Sequence, residues 1–482
     1  MARDLVAGID SSTQSCTVVL REIVGGKVVA EARAPHPVTT PPRSEQAPQA
    51  WWDALCVAMN VLHSYGSRIA AISVGGQGHG LVLLDTNGQA LRDAKLWNDT
   101  EAAQDAALLS EKLSPVEWAS RTGSVPAPAL TVSKLAWTER TFPGLVRTAN
   151  HIMLPSDYIL FRLTGRAATE RGVSSGTGYF NPFLNVWDYE LAELAVPGVA
   201  WDKVLPDLVG SSEASGVVKS DCGLSALAGA IVGSGSGDNM TAALGLGIGP
   251  GDTVISFGTS GTLYGVTSIG IRDGSGAING YADATGAFLP MITTLNSAKV
   301  SDAFRRIMRL DVDEFDRLAL STSPGANGLV LVPYLDGERT PNLPNATGIL
   351  SGLRSDVSAG QVARAAVEGV ICGLLEGGDL LSSQGVRTNG RLIVTGGASR
   401  SQAYRQILAD LTGRPVWTSN LAEAAAAGAA VQAAAVLTGR TTAAVADDWR
   451  PEYKIVAEPN PRSLERADEV RANYRNACQL AR

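Results

Sequence analysis

The chain opens on apolar runs broken by turn chemistry. Leu5-Val6-Ala7-Gly8-Ile9 is apolar, Asp10-Ser11-Ser12-Thr13 is polar, and Thr17-Val18-Val19-Leu20 is apolar again. Gly25-Gly26 marks a second hairpin, followed by Val28-Val29-Ala30. The pattern predicts an antiparallel meander. A helix around Trp51 to His63 and a strand from Ile69 to Val74 come next, an alternation that indicates the α/β class.

A similar unit returns about half a chain later. Thr253 to Phe257 reads as a strand, Gly258-Thr259-Ser260-Gly261-Thr262 as a turn and Leu263 to Val266 as a strand, which hints at an internal duplication. Between the two units, a strand at Ile231-Val232-Gly233 ends in Ser234-Gly235-Ser236-Gly237, and a helix begins at Asp238. A domain boundary falls here. Later come a strand at Leu392 to Thr395, the turn Gly396-Gly397-Ala398-Ser399 and a helix from Gln402 to Leu411. A strand from Arg414 to Thr418 and an Ala-rich, closely packed helix from Glu423 to Leu437 follow.

Composition narrows the function classes. A chain of 482 residues exceeds one ordinary core, so two domains are expected. The net charge of -7, without a basic stripe, argues against a nucleic-acid partner. Five scattered cysteines without a C-x-x-C pair suit a reducing cytoplasm, and the four histidines lack metal-ligand spacing. Met1-Ala2-Arg3-Asp4 runs straight into an apolar strand, so no signal peptide is expected. The weakly polar run from Ala424 to Leu437 is too short to span a bilayer, and no membrane partner is expected.

Five segments carry candidate chemistry, each with a plainer reading beside it. The Asp10–Thr13 turn can aim N–H groups and a hydroxyl at phosphates and hold a carboxylate near Mg²⁺; alone it reads as a capped turn. The Gly258–Thr262 turn can do the same from the other half, or be a polar hairpin. Asp238, after Gly-x-Gly-x-Gly in the stretch 233–237, is either a helix cap or a general base for a sugar hydroxyl. Gln77 and His79 on the Gly75–Gly80 loop can bind a sugar, although a lone loop histidine is more often solvated. Gly396-Gly397-Ala398-Ser399 suits a nucleotide or a tight strand–helix connection. The proline-bounded loop Pro333 to Pro341 reads, on physical grounds, as a surface loop.

Together and in this order, these segments resemble the FGGY family of carbohydrate kinases over nearly the whole chain. The matching stretches are Gly8 to Thr13, T-x-x-K-L-x-W from Thr131 to Trp137, Leu154-Pro155-Ser156-Asp157-Tyr158, Gly237-Asp238-Asn239, and Gly396 to Ser399 with Gln406 to Asp410. Gly76 to Gly80, Leu96-Trp97-Asn98-Asp99 and Pro333 to Pro341 are most similar to the xylulose-phosphorylating branch. Two positions depart from it: Gly78, where many of that branch have Met beside the sugar, and Ser12, where the family often has Gly.

The resemblance implies an actin-like ATPase fold with two ribonuclease-H-like domains and a catalytic cleft between them. Residues 1–237 would form the sugar-binding side and 238–440 the nucleotide side, with 441–482 a helical extension packing back on the body. It implies ATP and Mg²⁺, with Asp238 as general base and Asp10 beside the metal, both as candidate metal carboxylates. Thr13, Gly258 and Thr259 would lie at the phosphates, Gly397 and Ala398 at the adenosine. Gly78, His79, Asp238 and Asn239 would meet the ketose. The partners are a small sugar and ATP in a cytoplasmic setting, with a homodimer left open. A kinase for ribulose, glycerol or gluconate, a non-catalytic sugar sensor and an actin-like filament protein are the alternatives. Asp10 and Asp238 together favour an enzyme.

Overall fold

The structure, a computed structural model, describes residues 3–481. Met1, Ala2 and Arg482 lie outside them, and with Met1 and Ala2 part of the segment on which the signal-peptide reading rests.

The apolar runs at the start form the meander β1 (Leu5–Ser11), β2 (Ser15–Glu22) and β3 (Val28–Pro35). Helix α1 (Pro48–Val61) returns the chain to β4 (Ile69–Gly76), which pairs parallel to β1. After β5 (Ala168–Glu170) and the short α2 (Arg171–Ser174), strands β6 (Ala214–Val217), β7 (Ile231–Gly233) and β8 (Ser236–Gly237) complete the first sheet. Its order is β6–β7–β4–β1–β2–β3, with β8 also beside β4. Helix α3 (Asp238–Gly245) follows directly.

The second sheet begins with β9 (Thr253–Phe257) and β10 (Gly261–Tyr264), then β11 (Asn279–Ala282) and β12 (Phe288–Thr294). Helices α4 (Ala298–Met308) and α5 (Ala359–Ser383) precede β13 (Leu392–Thr395), α6 (Gln402–Thr412) and β14 (Val416–Ser419). Then come α7 (Ala424–Thr438), β15 (Tyr453–Ala457) and α8 (Ala467–Cys478). The order is β11–β12–β10–β9–β13–β14–β15. Leaving β11 aside, the second sheet repeats the first strand for strand: an antiparallel trio, two parallel strands, then an antiparallel edge. This is the doubled ribonuclease-H-like arrangement of the actin-like fold. The duplication hinted at by the two hydroxyl-bearing turns extends through six strands.

Two helices lie between the sheets. Val6 and Ala71 of the first sheet share one apolar core with α3, α7 and with Val254, Tyr264, Met291 and Ile393 of the second. The alanines of α7 permit very close packing. A Cβ at Gly8 would stand 1.9 Å from the Ala426 carbonyl oxygen. One at Gly428 would stand 1.8 Å from the Thr241 carbonyl oxygen, and one at Gly245 2.1 Å from that of Ala424. Gln432, in the middle of α7, is buried, and its amide donates to the Gly235 carbonyl at 3.0 Å. The helix thus lies between the last two strands of the second sheet in the chain but packs on the first.

The terminal stretch, expected to be helical, also contains a strand. β15 pairs antiparallel with β14 and closes the edge of the second sheet, satisfying backbone groups that would otherwise be bare. No helix among the described residues is long and apolar enough to cross a membrane.

Candidate active site

The C-terminal ends of β1, β4 and β8 lie side by side, because Asp10 pairs with Gly75, and Ser236 and Gly237 pair with Gly75 and Gly76. This register brings Asp10, the Gly76–Gly80 loop and Asp238 to one edge of the first sheet. Burial pushes the Asp10 carboxyl up to about 7; the Ser12 hydroxyl, which donates to Oδ1, opposes this, and the Asp238 charge adds to it. The loop is pinned from outside: His36 Nδ1 lies 2.8 Å from the Ser12 carbonyl, and Trp97 Nε1 donates to Thr13 Oγ1 at 2.8 Å. The Thr13 hydroxyl keeps its own proton for another acceptor.

Asp238 does not cap its helix. Gly237 occupies the N-cap position without a side-chain bond, and Asp238 is the first helical residue. Its Oδ1 accepts from the Asn239 backbone N–H at 2.7 Å and from Asn239 Nδ2 at 2.9 Å. Burial pushes its carboxyl up to about 6 against these two bonds. Capping alone does not explain the residue, and such a carboxyl is close to the range of a working base.

His79 has φ of +65°, a conformation uncommon among residues other than glycine. Its Nδ1 faces the Gly176 carbonyl at 2.8 Å and must donate there, so the neutral ring presents Nε2 as an acceptor. Burial pushes the imidazole down to about 3, with the Lys134 and Arg339 cations adding to the effect. A Cβ at Gly78 would meet nothing within 4 Å, so the space that a larger side chain would fill is open. Gln77 is fully buried, yet neither its Oε1 nor its Nε2 has a partner. An amide in that state is suited to a polar ligand.

On the second sheet, the ends of β9 and β13 converge. Gly396, at φ of +82°, packs on the Phe257 backbone, where a Cβ would come within 2.7 Å. This sets Gly258 and Thr259 beside Gly397 and Ala398, and a Cβ on Gly397 would face open space. The N-terminus of α4 closes over the turn, with Ala298 N–H donating to the Gly258 carbonyl at 2.9 Å. Among the described residues, no hydrogen bond joins the Asp10–Thr13 turn to the Gly258–Thr262 turn.

Three contributions escape the sequence reading. The 333–341 loop, read as a surface loop, is folded inward. Glu338 is buried and accepts from the Leu295 N–H at 2.6 Å and from Asn296 Nδ2 at 3.0 Å, because the ends of β12 and α4 offer those donors. This carries the Arg339 cation to the neighbourhood of Tyr281, whose hydroxyl it holds lower than burial alone would. The Tyr281 hydroxyl in turn lies 3.4 Å from His79 Nε2, so the second half touches the histidine loop of the first. Glu170 is the third. The charged run of 333–341 was a signal for Arg339; Tyr281 and Glu170 carried none.

A second acidic group, Glu45, Asp99 and Glu101, is already satisfied by a buried ammonium. Lys95 Nζ lies 3.2, 2.8 and 2.5 Å from the three carboxylates in turn.

The match to known proteins runs through both sheets. The FGGY carbohydrate kinase N-terminal domain matches residues 5–245 and the C-terminal domain residues 253–437. The chain is 41% identical to the xylulose kinase of Streptomyces rubiginosus, over 99% of this chain and 97% of that protein. It is 42% identical to that of Streptomyces coelicolor, over 92% and 90%. The crystal structure of xylulose kinase from Bifidobacterium adolescentis superposes with a TM-score of 0.84 at 35% identity, covering 97% of this chain and 99% of that one. Plasmodium falciparum glycerol kinase shares the fold at a TM-score of 0.88 and 19% identity, over 100% of this chain and 98% of that one. With both halves matched in order, and with the acidic and glycine-rich strand ends where two sheets meet, the chain belongs to the FGGY family of carbohydrate kinases.

Proposed function

We propose that the chain transfers the γ-phosphoryl group of ATP to D-xylulose, giving D-xylulose 5-phosphate and ADP. The observation that carries this reading is the edge shared by Asp10, Asp238 and the unpartnered Gln77 beside His79, in a chain whose relatives over nearly full length are xylulose kinases.

Asp238 takes the proton of the sugar hydroxyl as that oxygen attacks the γ-phosphorus; the new O–P bond forms as the bond to the β-phosphate oxygen breaks. Gly78, His79 and Asn239 line the ketose, with His79 Nε2 accepting from a sugar hydroxyl and Gln77 offering both an acceptor and donors. Thr13, Gly258 and Thr259 serve the phosphates, and Gly397 and Ala398 the adenosine. Asp10 and Asp238 are the residues that would hold Mg²⁺. Two carboxyls raised by burial, one of them further raised by the other, suit a divalent cation. When bound, Mg²⁺ offsets the negative charge of the phosphates. Residues 1–237 are the sugar side, 238–440 the nucleotide side and 441–482 an appended segment, in a cytoplasmic protein able to pair as a homodimer.

An ADP-release assay over a panel of ketoses and polyols tests the substrate. D-xylulose should give the highest kcat/KM. Good turnover of ribulose or glycerol with none of D-xylulose would remove the sugar assignment and leave the kinase.

The pH dependence follows from Asp238. Its base form is the active one, and burial places the transition near 6, so kcat/KM should fall about tenfold per unit below that midpoint. Steady-state rates from pH 4.5 to 8 check this; a flat profile between 5 and 7 contradicts it.

A further inference from the structure

Both ends of one short segment hold residues of the site. At its start, Glu170 is fully buried and has no cation within ion-pair distance among the described residues. Its Oε2 accepts from the Gly172 N–H at 2.7 Å and from Ser236 Oγ at 2.7 Å, and its Oε1 from Ser211 Oγ at 2.6 Å. Ser236 lies in β8, two residues before Asp238, and pairs with Gly75 of β4. At the other end, Gly176 offers its carbonyl to His79. Glycine is required at both contacts: a Cβ on Gly172 would lie 2.6 Å from Ser236 Oγ, and one on Gly176 2.2 Å from His79 Nδ1. Next to these, Ser175 Oγ accepts from the Ala282 N–H at 3.1 Å, and Arg171 donates to the Ala287 carbonyl. The segment is therefore also tied to the second half.

A carboxylate buried without a cation is costly, and an N-cap needs only one of its three bonds. We propose that Glu170 is a positioning residue for phosphoryl transfer: through Ser236 it fixes β8, and so the direction of the Asp238 carboxylate relative to the histidine loop held by the same segment. The inference rests on the reading of Asp238 as the base.

Ser236→Ala removes the link and leaves Glu170 its other two donors. It should lower kcat about tenfold per folded enzyme, with KM for D-xylulose little changed. Glu170→Ala should do the same or more, and the double variant should be no worse than Glu170→Ala alone, as for partners in one chain of contacts. Glu170→Gln should restore most of the rate. Its amide oxygen still accepts from Ser236 and Gly172, and the Ser211 hydroxyl reverses to accept from the amide nitrogen. Hydrogen exchange, followed by mass spectrometry, should show faster exchange over residues 236–239 in Ser236→Ala and wild-type protection in Glu170→Gln. This readout holds even for a preparation without turnover.

Wild-type kcat and unchanged exchange in Ser236→Ala overturn the proposal, as do losses that multiply in the double variant. If Asp238→Asn turns over normally, it is the base assignment that fails. If Asp238→Asn is inactive and Ser236→Ala is normal in rate and exchange, only the role of Glu170 fails.

Discussion

Asp238→Asn should lose about 10²- to 10⁴-fold in kcat, the range in which a positioned general base contributes. The substitution keeps the local structure. Asn offers the same oxygen to the Asn239 backbone N–H and to its side chain, the two bonds that the carboxylate accepts at 2.7 and 2.9 Å. What it removes is the capacity to take a proton. KM for the sugar should move little, because the lost interaction belongs to the transition state. The step near pH 6 should go with it, leaving only the titration of Asp10, whose carboxyl burial pushes up to about 7. Steady-state kinetics with D-xylulose across pH give both quantities. A variant within a few fold of wild type would show that another group accepts the proton.

Gly428→Ala should destabilise the protein by about 3 kcal/mol, the upper end of the usual cost of overpacking. The sign is the informative part. In an ordinary helix interior, replacing Gly by Ala stabilises by about 1 kcal/mol. Here the new Cβ would stand 1.8 Å from the Thr241 carbonyl oxygen and 2.8 Å from the Gly245 nitrogen, both backbone atoms of α3 that cannot rotate away. Calorimetry against Gly249→Ala, where a Cβ meets nothing within 4 Å and φ is not positive, isolates the effect. An unchanged midpoint in Gly428→Ala would mean that α3 and α7 are not in backbone contact.

Local pattern reached some parts of this molecule and not others. The meander, the β9–β10 hairpin and the turn after β13 were legible because hairpins and strand–helix turns are written in neighbouring residues. The α7 helix was legible from its alanines, but its place against the first sheet was not, since that depends on Gly8 more than 400 residues earlier. β15 was missed because Tyr453-Lys454-Ile455-Val456-Ala457 lies on an edge, half-buried to exposed, and takes its shape from the neighbouring strand. Asp10, His79 and Asp238 stood out only through family resemblance; each alone favoured a plainer reading. Tyr281 and Glu170 act through partners 202 and 66 positions away, and Glu338, which places Arg339, through one 43 away; no local spacing marks such pairings.

The strand-for-strand repetition of the two sheets suggests two modules that could be cut apart, and the helix exchange argues the opposite. A fragment ending before β9 would leave the strip around Gly8 without α7, its closest neighbour, and present bare apolar strand backbone to solvent. A fragment beginning at β9 would carry α7 with its alanine face exposed and Gln432 deprived of Ser73, Ser234 and Gly235. Each piece would display the surface that the other hides, so the two should co-precipitate or reassociate rather than persist as soluble monomers. One helix is encoded in the half that it does not cover, so the smallest autonomous piece of this architecture is the pair of sheets together.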